Sequence, residues 1–485
     1  MTSITALLTE SSDRTATALA QTGLVGSFVA LVPTGGRTGR TEWAGLPWTE
    51  IETAEPGAGG VVGPLFADAK TPFVLQVVGD FDPHPTAVQR MRTAAIENGA
   101  ALVYGDYVDA APEGPIAHPL ADYQRGSFED AFAFGPIRLW SVDVVRAAWK
   151  AHGGAHDRAF HAWYDTRLKA AEHGAVLRLP EPLGLLVPTD RRASGQRVFD
   201  YLTAGRERQI EAEQIATQHL DRLGALLRGP FQPYDPPGTW AVTATVVIPV
   251  KNRIKTVADA VNSALSQVAS FPFNVIVVDN HSTDGTTEVL AARAAEDPRL
   301  VHVKPDRLDL GIGGCWNVAV FHPKVGKYVV QLDSDDLYSG SDTLERMVRA
   351  LVDQRAGLAV GSYTLVNMKL EPIPPGLIDH KEWTDDNGPN NALRIGGLGA
   401  PRAYATELLR QGPFPNASYG EDYAAVLRVC RTYKVARVYD SLYWCRRWED
   451  NSDADLNHLT KARYQTYKDR VRTLELTARI RANRG

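Results

Sequence analysis

The sequence predicts an α/β protein of two modules, each on a mainly parallel sheet. A helix and a Pro-rich linker join the modules, and a C-terminal helix follows. Three observations predict this. Short apolar strands alternate with segments of helical spacing, the pattern of a sheet covered on both faces. Gly229 to Gly238 reads Gly-Pro-Phe-Gln-Pro-Tyr-Asp-Pro-Pro-Gly, too rich in Pro and Gly for helix or central strand. Segments of the first half also recur in the second at a nearly constant offset.

Composition narrows the class. The 485 residues are 44% hydrophobic and 22% charged, which excludes a disordered chain, collagen and a coiled-coil rod. Fifty-two Lys and Arg against 57 Asp and Glu leave a net charge of −5, which counts against a general nucleic-acid binder. The three cysteines, Cys315, Cys430 and Cys445, form neither a disulfide framework nor a Cys-x-x-Cys pair, so a reducing compartment fits. Met1 to Ala20 holds Glu10, Asp13 and Arg14 and does not read as a leader peptide. No apolar run reaches about 18 residues, the length a spanning helix needs. The expectation is a soluble, cytoplasmic protein without a transmembrane segment.

In chain order, Phe73–Asp80, Leu102–Tyr107 and Ala175–Leu179 read as strands. They resemble Tyr328–Asp335, Leu358–Tyr363 and the region of Val435–Val438, at offsets of 255, 256 and about 259 residues. A steady offset of that size predicts an internal duplication, far too long for a solenoid repeat. Ile210, Ile215, Leu220, Leu223 and Leu227 give Arg206–Leu227 a helical spacing. Val246–Pro249, Val275–Asp279, Leu300–Val303 and Tyr328–Asp333 read as strands, with helices at Val257–Val268, Thr286–Ala295 and Thr343–Val352. The expected division is a first module over 1–205, a connector over 206–240, a second module over 241–452 and a helical tail over 453–485.

The second module carries the chemistry. Asp333-Ser334-Asp335-Asp336 closes an apolar strand. Three carboxylates in four residues repel one another, and hard oxygen ligands suit Mg²⁺ or Mn²⁺ completed by substrate phosphates. A solvated acidic turn is the plainer reading. Asp279-Asn280-His281-Ser282-Thr283-Asp284-Gly285-Thr286 offers short polar groups to a nucleobase or ribose, or simply caps a helix. Asp309 to Asn317 is Gly-rich, with Gly311, Gly313 and Gly314 permitting close backbone approach. A helix expected near Trp316 would turn free N–H groups toward an anion such as a diphosphate. Glu421-Asp422 opens a helix, as capping residues do, and also offers a general base. Arg446-Arg447-Trp448-Glu449-Asp450-Asn451-Ser452 supplies cations for phosphate, or is a surface loop.

Taken in order, these blocks resemble the inverting family 2 glycosyltransferases, whose fold is the nucleotide-sugar-binding GT-A fold. The resemblance covers roughly residues 242–452 and rests on Val247–Asn252, Asp279–Thr286, Gly311–Asn317, the tetrad from Asp333, Glu421-Asp422 and Arg447-Trp448. It implies two GT-A-like modules and a metal-dependent transfer of sugar from a nucleotide sugar, with UDP the favoured carrier, to an acceptor hydroxyl. It implies Asp422 as catalytic base beside Glu421, and Asp335 with Asp333 as ligands to Mn²⁺ or Mg²⁺. It implies a nucleotide-sugar site from Pro249, Val250, Asn252, Asp279, Asp284, Gly313, Asn317, Asp333, Ser334 and Arg447. The acceptor class stays open among glycan, peptide and small molecule, residues 364–400 are expected in its wall, and a homo-oligomer is compatible.

The chain departs from the family pattern at Trp444, which takes the Gln place of the tail element. Trp448 stands where soluble relatives carry a metal-binding His, and His380 is a poorly aligned substitute. In the first half, Val78-Gly79-Asp80 replaces the acidic motif and Ala162-Trp163 the base pair, so that module is expected not to transfer sugar. Asp80-Phe81-Asp82 leaves residual nucleotide binding as the alternative. Two competing functions remain: a nucleotidyltransferase, which the glycine-free turn Val250–Arg253 disfavours, and a non-catalytic sugar- or nucleotide-binding protein.

Overall fold

The apolar runs pair as two separate main sheets, one in each of two compact units. The computed structural model describes residues 3–10, 12–187, 205–381, 383–448, 451 and 456–484. Unit 1 comprises Met1–Gly224 with Leu456–Leu476, and unit 2 comprises Ala225–Asp455 with Thr477–Gly485.

The strands of unit 1 are β1 (Ile4–Thr9), β2 (Val25–Val32), β3 (Glu42–Trp43), β4 (Leu46–Glu52), β5 (Phe73–Val78), β6 (Asp80–Pro83), β7 (Ala100–Gly105), β8 (Tyr107–Asp109), β9 (Ile116–His118), β10 (Ile137–Ser141), β11 (Ala175–Leu179) and β12 (Gly184–Val187). Its main sheet runs β11-β7-β10-β5-β1-β2-β4-β3, and a smaller one runs β6-β12-β8-β9. Unit 2 has β13 (Ala244–Val250), β14 (Phe273–Asp279), β15 (Leu300–Val303), β16 (Tyr328–Gln331), β17 (Leu337–Tyr338), β18 (Leu358–Val366), β19 (Pro372–Ile378), β20 (Arg402–Ala405) and β21 (Val435–Arg446). These run β15-β14-β13-β16-β20-β18-β21-β17, with β19 on β18.

The two main sheets share one plan. From β4 to β11 and from β15 to β21, the spatial order and the chain order correspond strand for strand. In each, one strand, β10 or β20, runs antiparallel to both neighbours. The remaining pairs of that set are parallel. The strands matched by offset in the sequence, β5 with β16, β7 with β18 and β11 with β21, occupy equivalent places.

Continuous apolar runs form β13 and β14 because both faces are covered: Val246, Val247, Ile248 and Val275–Val278 are fully buried. Each such side chain contributes about 1.5–3 kcal/mol over the exposed state. Parallel pairing of β13 with β14 and β16 brings Val250, Asp279 and the turn after Gln331 to one sheet edge, the edge where open α/β sheets hold ligands.

The connector differs from expectation. Its helix spans Arg206–Arg222 and belongs to unit 1, where Ala212 and Ile215 cluster with Tyr164 and Leu168. The Pro-rich stretch is laced onto unit 2. Gln232 exchanges backbone hydrogen bonds with Thr432 and Lys434, and the Tyr234 N–H donates to Arg355. The terminal helix spans His458–Asn483, and its residues through Leu476 pack in unit 1. Residues 453–455, where the tail was expected to begin, lie outside the described residues. No helix among the described residues is long and apolar enough to cross a membrane.

Candidate active site

Two loops after β13 and β14 clasp each other. Asn252 adopts a left-handed backbone, φ 53°, and its side-chain oxygen accepts from the Thr283 N–H at 2.8 Å. Its own N–H donates to Ser282 Oγ at 2.9 Å. Asp284 is exposed, yet its two oxygens accept from the backbones of Ile254 (3.0 Å) and Thr286 (3.1 Å). Asp279 is fully buried and accepts from the Ser282 N–H, Thr287 Oγ1 and His302 Nε2. Burial disfavours its charge, but those hydrogen bonds outweigh burial and hold its pKa below the usual carboxylate range. Asp279 and Asp284, predicted to contact the nucleobase, therefore build the loops that frame this edge. Pro249 is partly exposed beside them on β13.

The acidic tetrad divides into distinct roles. Asp336 is buried, and its Oδ1 accepts from the Arg446 N–H at 2.7 Å. Burial and the charges of Asp333 and Asp335 push its pKa well up. The Arg446 guanidinium donates to the Asp335 carbonyl and to Asp259 Oδ2 (2.9 Å). Arg446 thus pins the acidic turn from behind. Arg447 donates its N–H to the Val366 carbonyl, continuing the pairing of β21 with β18. Ser334 is buried. Asp333 and Asp335 are partly exposed. Burial first, then Asp335 and Asp422, raise the Asp333 pKa against the pull of Gln331 and Arg402.

Asp335 Oδ2 faces donors: Asn451 Nδ2 at 3.3 Å, Trp448 Nε1 at 3.4 Å and Arg253 Nε at 3.8 Å. Trp448 supplies an N–H to the carboxylate, so it is no stand-in for a metal-binding His. His380 is buried with Nε2 accepting from the Gly399 N–H, which removes it as a ligand candidate. Glu449, Asp450 and Ser452 of this loop lie outside the described residues.

The Gly-rich segment corrects an expectation. Its helix runs Ile312–Val320, beginning one residue after Gly311 rather than near Trp316. Its first N–H groups meet protein. Gly311 donates to Asn416 Oδ1 (2.7 Å) and Gly313 to the Ala417 carbonyl (2.9 Å). A Cβ on Gly313 would lie 2.0 Å from the Pro415 oxygen and 3.0 Å from Glu421 Cβ. Asn317 exchanges two hydrogen bonds with the Phe414 backbone, at 2.8 and 2.9 Å. These N–H groups are therefore not free for a diphosphate. Gly313 and Asn317 dock the loop 414–420, which delivers Glu421 and Asp422.

That loop ends at Gly420, φ 74°, a left-handed position that suits glycine and starts the helix Glu421–Cys430. Asp422 Oδ2 lies 2.7 Å from Arg402 Nη1. Arg402 opens β20, is buried, and also donates to the Leu398 carbonyl. Glu421 is buried with Oε2 unpartnered. Burial, then the neighbouring Asp422 charge, push its pKa up to about 8. Glu421 therefore holds its proton more tightly than an ordinary carboxyl, whereas Asp422 sits against its arginine.

Arg402 was not found from sequence. It belongs to no motif and stands alone before the small apolar run Ala403–Ala405. A lone Arg at the head of a buried strand is the only signal it leaves. Antiparallel pairing of β20 with β16, Val330 opposite Ala403, carries it beside the turn after β16.

Residues 245–412 match the family model described as Glycosyl transferase family 2. TuaG of Bacillus subtilis (strain 168), which carries the name of a teichuronic acid biosynthesis glycosyltransferase, is 28% identical over 155 residues, 32% of this chain and 60% of that protein. Chondroitin synthase of Escherichia coli is 36% identical over 213 residues, 42% of this chain and 28% of that protein. The matches thus span less than two thirds of these relatives' lengths. Among solved structures, S. aureus TarS 1-349 in complex with UDP-GlcNAc is 22% identical with a TM-score of 0.38, covering 49% of this chain and 72% of that one. Unit 2 of this chain carries a family 2 glycosyltransferase domain.

Proposed function

We propose that unit 2 moves a sugar from a nucleotide diphosphate sugar, with UDP as the carrier, to an acceptor hydroxyl with inversion at the anomeric carbon. The observation that carries this is the meeting of Asp335, Asp422 and Arg402 around Asp333 at the ligand edge of the sheet, where Asp333 feels all three other charges. The partly exposed Pro249 and the clasped loops 250–254 and 279–286 form the nucleotide side.

The donor set fits a hard divalent ion. Asp333 and Asp335 are adjacent carboxylates whose repulsion raises the Asp333 pKa, and a cation relieves that repulsion. Asp333 and Asp335 would hold Mn²⁺ or Mg²⁺, with the remaining positions left to phosphate oxygens and water. When bound, the ion offsets charge developing on the departing diphosphate. Asp422 removes the acceptor proton as its oxygen attacks from the face opposite the leaving group. Arg402 pairs with Asp422 at 2.7 Å and orients it. Glu421, its pKa pushed up to about 8 by burial and then by Asp422, is the less suited of the two to accept that proton.

Unit 1 is proposed to be non-catalytic. Asp80 accepts from Ser12 and Thr15, and Asp82 pairs with Arg14 at 2.5 Å. Ala162 is buried, and Trp163 packs on Trp140 and Phe66.

The test is nucleoside diphosphate release by the full chain against a panel of nucleotide sugars and acceptors. One donor should turn over, and Asp422→Asn should slow transfer by about 10²–10⁴ with donor affinity unchanged. Asp422→Asn at wild-type speed, or pyrophosphate release from a nucleoside triphosphate and a sugar phosphate, would overturn the reading.

A further inference from the structure

Unit 1 holds a cluster that the transfer reaction does not use. Hairpin strands β8 and β9 pair Tyr107 with His118 and Asp109 with Ile116. Side chains two apart on a strand share a face, so Tyr107, Asp109 and His118 point the same way. His458, the first residue of the terminal helix, joins them. Asp109 Oδ2 lies 2.7 Å from His118 Nδ1 and 3.6 Å from His458 Nε2. The His118 and His458 rings stack at 3.8 Å, inclined by 24°, and Tyr107 stacks on the other face of His118 at 4.3 Å.

We propose that Asp109, His118 and His458 bind a divalent transition-metal ion of the zinc class, fastening the first turn of the terminal helix to the β8–β9 hairpin. Two imidazoles and a carboxylate are ligands that zinc takes, and three protein ligands leave a fourth position open. The three ligand atoms lie within 4.8 Å of one another. Ligand atoms about 2.0–2.2 Å from a tetrahedral ion sit roughly 3.3–3.5 Å apart. The 2.7 and 3.6 Å contacts bracket that spacing. Binding opens the shorter contact by about 0.6–0.8 Å and splays the stacked rings, a movement within reach of a residue at a helix terminus. The ligand groups are only partly exposed, at 22%, 23% and 33% of the side chain for Asp109, His118 and His458.

Competition for these ligands is weak. Among the described residues, no Lys or Arg lies within ion-pair distance of Asp109, whose partners there are the two imidazoles. This donor set also differs from the all-oxygen set of Asp333 and Asp335, and imidazole ligands select against Mg²⁺.

The experiment is calorimetric titration of the full chain with Zn²⁺ in millimolar Mg²⁺, repeated with His458→Gln, His118→Gln and Asp335→Asn. Far-UV circular dichroism checks that each variant is folded. One Zn²⁺ per chain is expected, weakened about tenfold or more in either His variant and unchanged in Asp335→Asn. A visible Co²⁺ spectrum that both His variants lose provides a second readout. Zn²⁺ affinity equal in wild type and both His variants, loss only in Asp335→Asn, or no saturable binding would overturn the site. The last result would leave the cluster as a hydrogen-bonded stack.

Discussion

Replacing Arg402 by Met removes a buried cation while keeping most of its volume. Arg402 Nη1 lies 2.7 Å from Asp422 Oδ2, with side-chain exposures of 11% and 32%. Losing one partner of a fully buried pair costs about 3–5 kcal/mol, and an exposed pair is worth about 0–1 kcal/mol. With one partner buried and the other a third exposed, about 2–3 kcal/mol is expected. For a unit of this size that is a fall of roughly 4–12 °C in the melting transition. Activity should change in a diagnostic way. Arg402 is one of the influences holding the Asp333 pKa down against burial, Asp335 and Asp422. Without it, the carboxylates charge less readily, and the acid limb of the rate profile moves to higher pH. Arg402→Lys keeps the charge and should restore most of the limb. The assay is transfer rate from pH 5 to 9 with a thermal melt of each variant. A Met variant that melts lower but keeps the wild-type pH profile would reduce Arg402 to a core strut. One unchanged in both would refute the argument entirely.

Asp335→Asn should keep its hydrogen bonds with the neighbouring donors and melt within about 1 kcal/mol of wild type, yet transfer at background rate. EDTA should silence the wild type and Mn²⁺ or Mg²⁺ restore it, whereas full activity in chelator would remove the metal from the reaction. Glu421→Gln tests the raised pKa through linkage. A carboxyl pushed up to about 8 contributes stability that is complete below its unfolded pKa and lost as pH rises through about 8. The Gln variant should therefore gain on wild type between pH 5 and pH 8.5 in paired melts, and a constant difference would contradict the burial argument. Gly313→Ala places a Cβ 2.0 Å from the Pro415 oxygen. It should cost about 1–3 kcal/mol and lower kcat by shifting the loop that carries Asp422. A variant as stable and active as wild type would show that this packing is not needed.

The strands were legible because fully covered strands are written as unbroken apolar runs, as Val275-Ile276-Val277-Val278 is. Strand ends were legible because polar residues stop those runs. The acidic tetrad was visible as a set, but its division was not. Which carboxylate is buried depends on Arg446, more than a hundred residues away in the chain. The glycines of 311–314 announced a close approach without naming the partner, which proved to be the 415–418 loop rather than a phosphate. Short polar side chains after β14 were equally ambiguous, since Asp279 and Asp284 form hydrogen bonds equally well with a ligand or with their own loops. Arg402 was invisible because its meaning is wholly tertiary. Only the pairing of β20 with β16 sets residue 402 beside residues 333 and 422.

One sheet plan therefore appears twice with opposite outcomes at its ligand edge. In unit 2 the positions after β16 and at the head of the helix Glu421–Cys430 hold four crowded carboxyl groups, Asp333, Asp335, Glu421 and Asp422, with Arg402 beside Asp422 and Arg253 3.8 Å from Asp335. Glu421 Oε2 is even left buried without a partner. A buried polar group left without a partner costs stability, and such groups cluster where a ligand or a reaction uses them. In unit 1 the corresponding positions are at rest. Asp80 and Asp82 have Ser12, Thr15 and Arg14, and the helix Ala162–Ala170 begins with Ala162 in the core and Trp163 against two aromatic rings. Crowded carboxylates stand at these positions in one of the two sheets, and that contrast, more than any single residue, argues for one transfer site per chain.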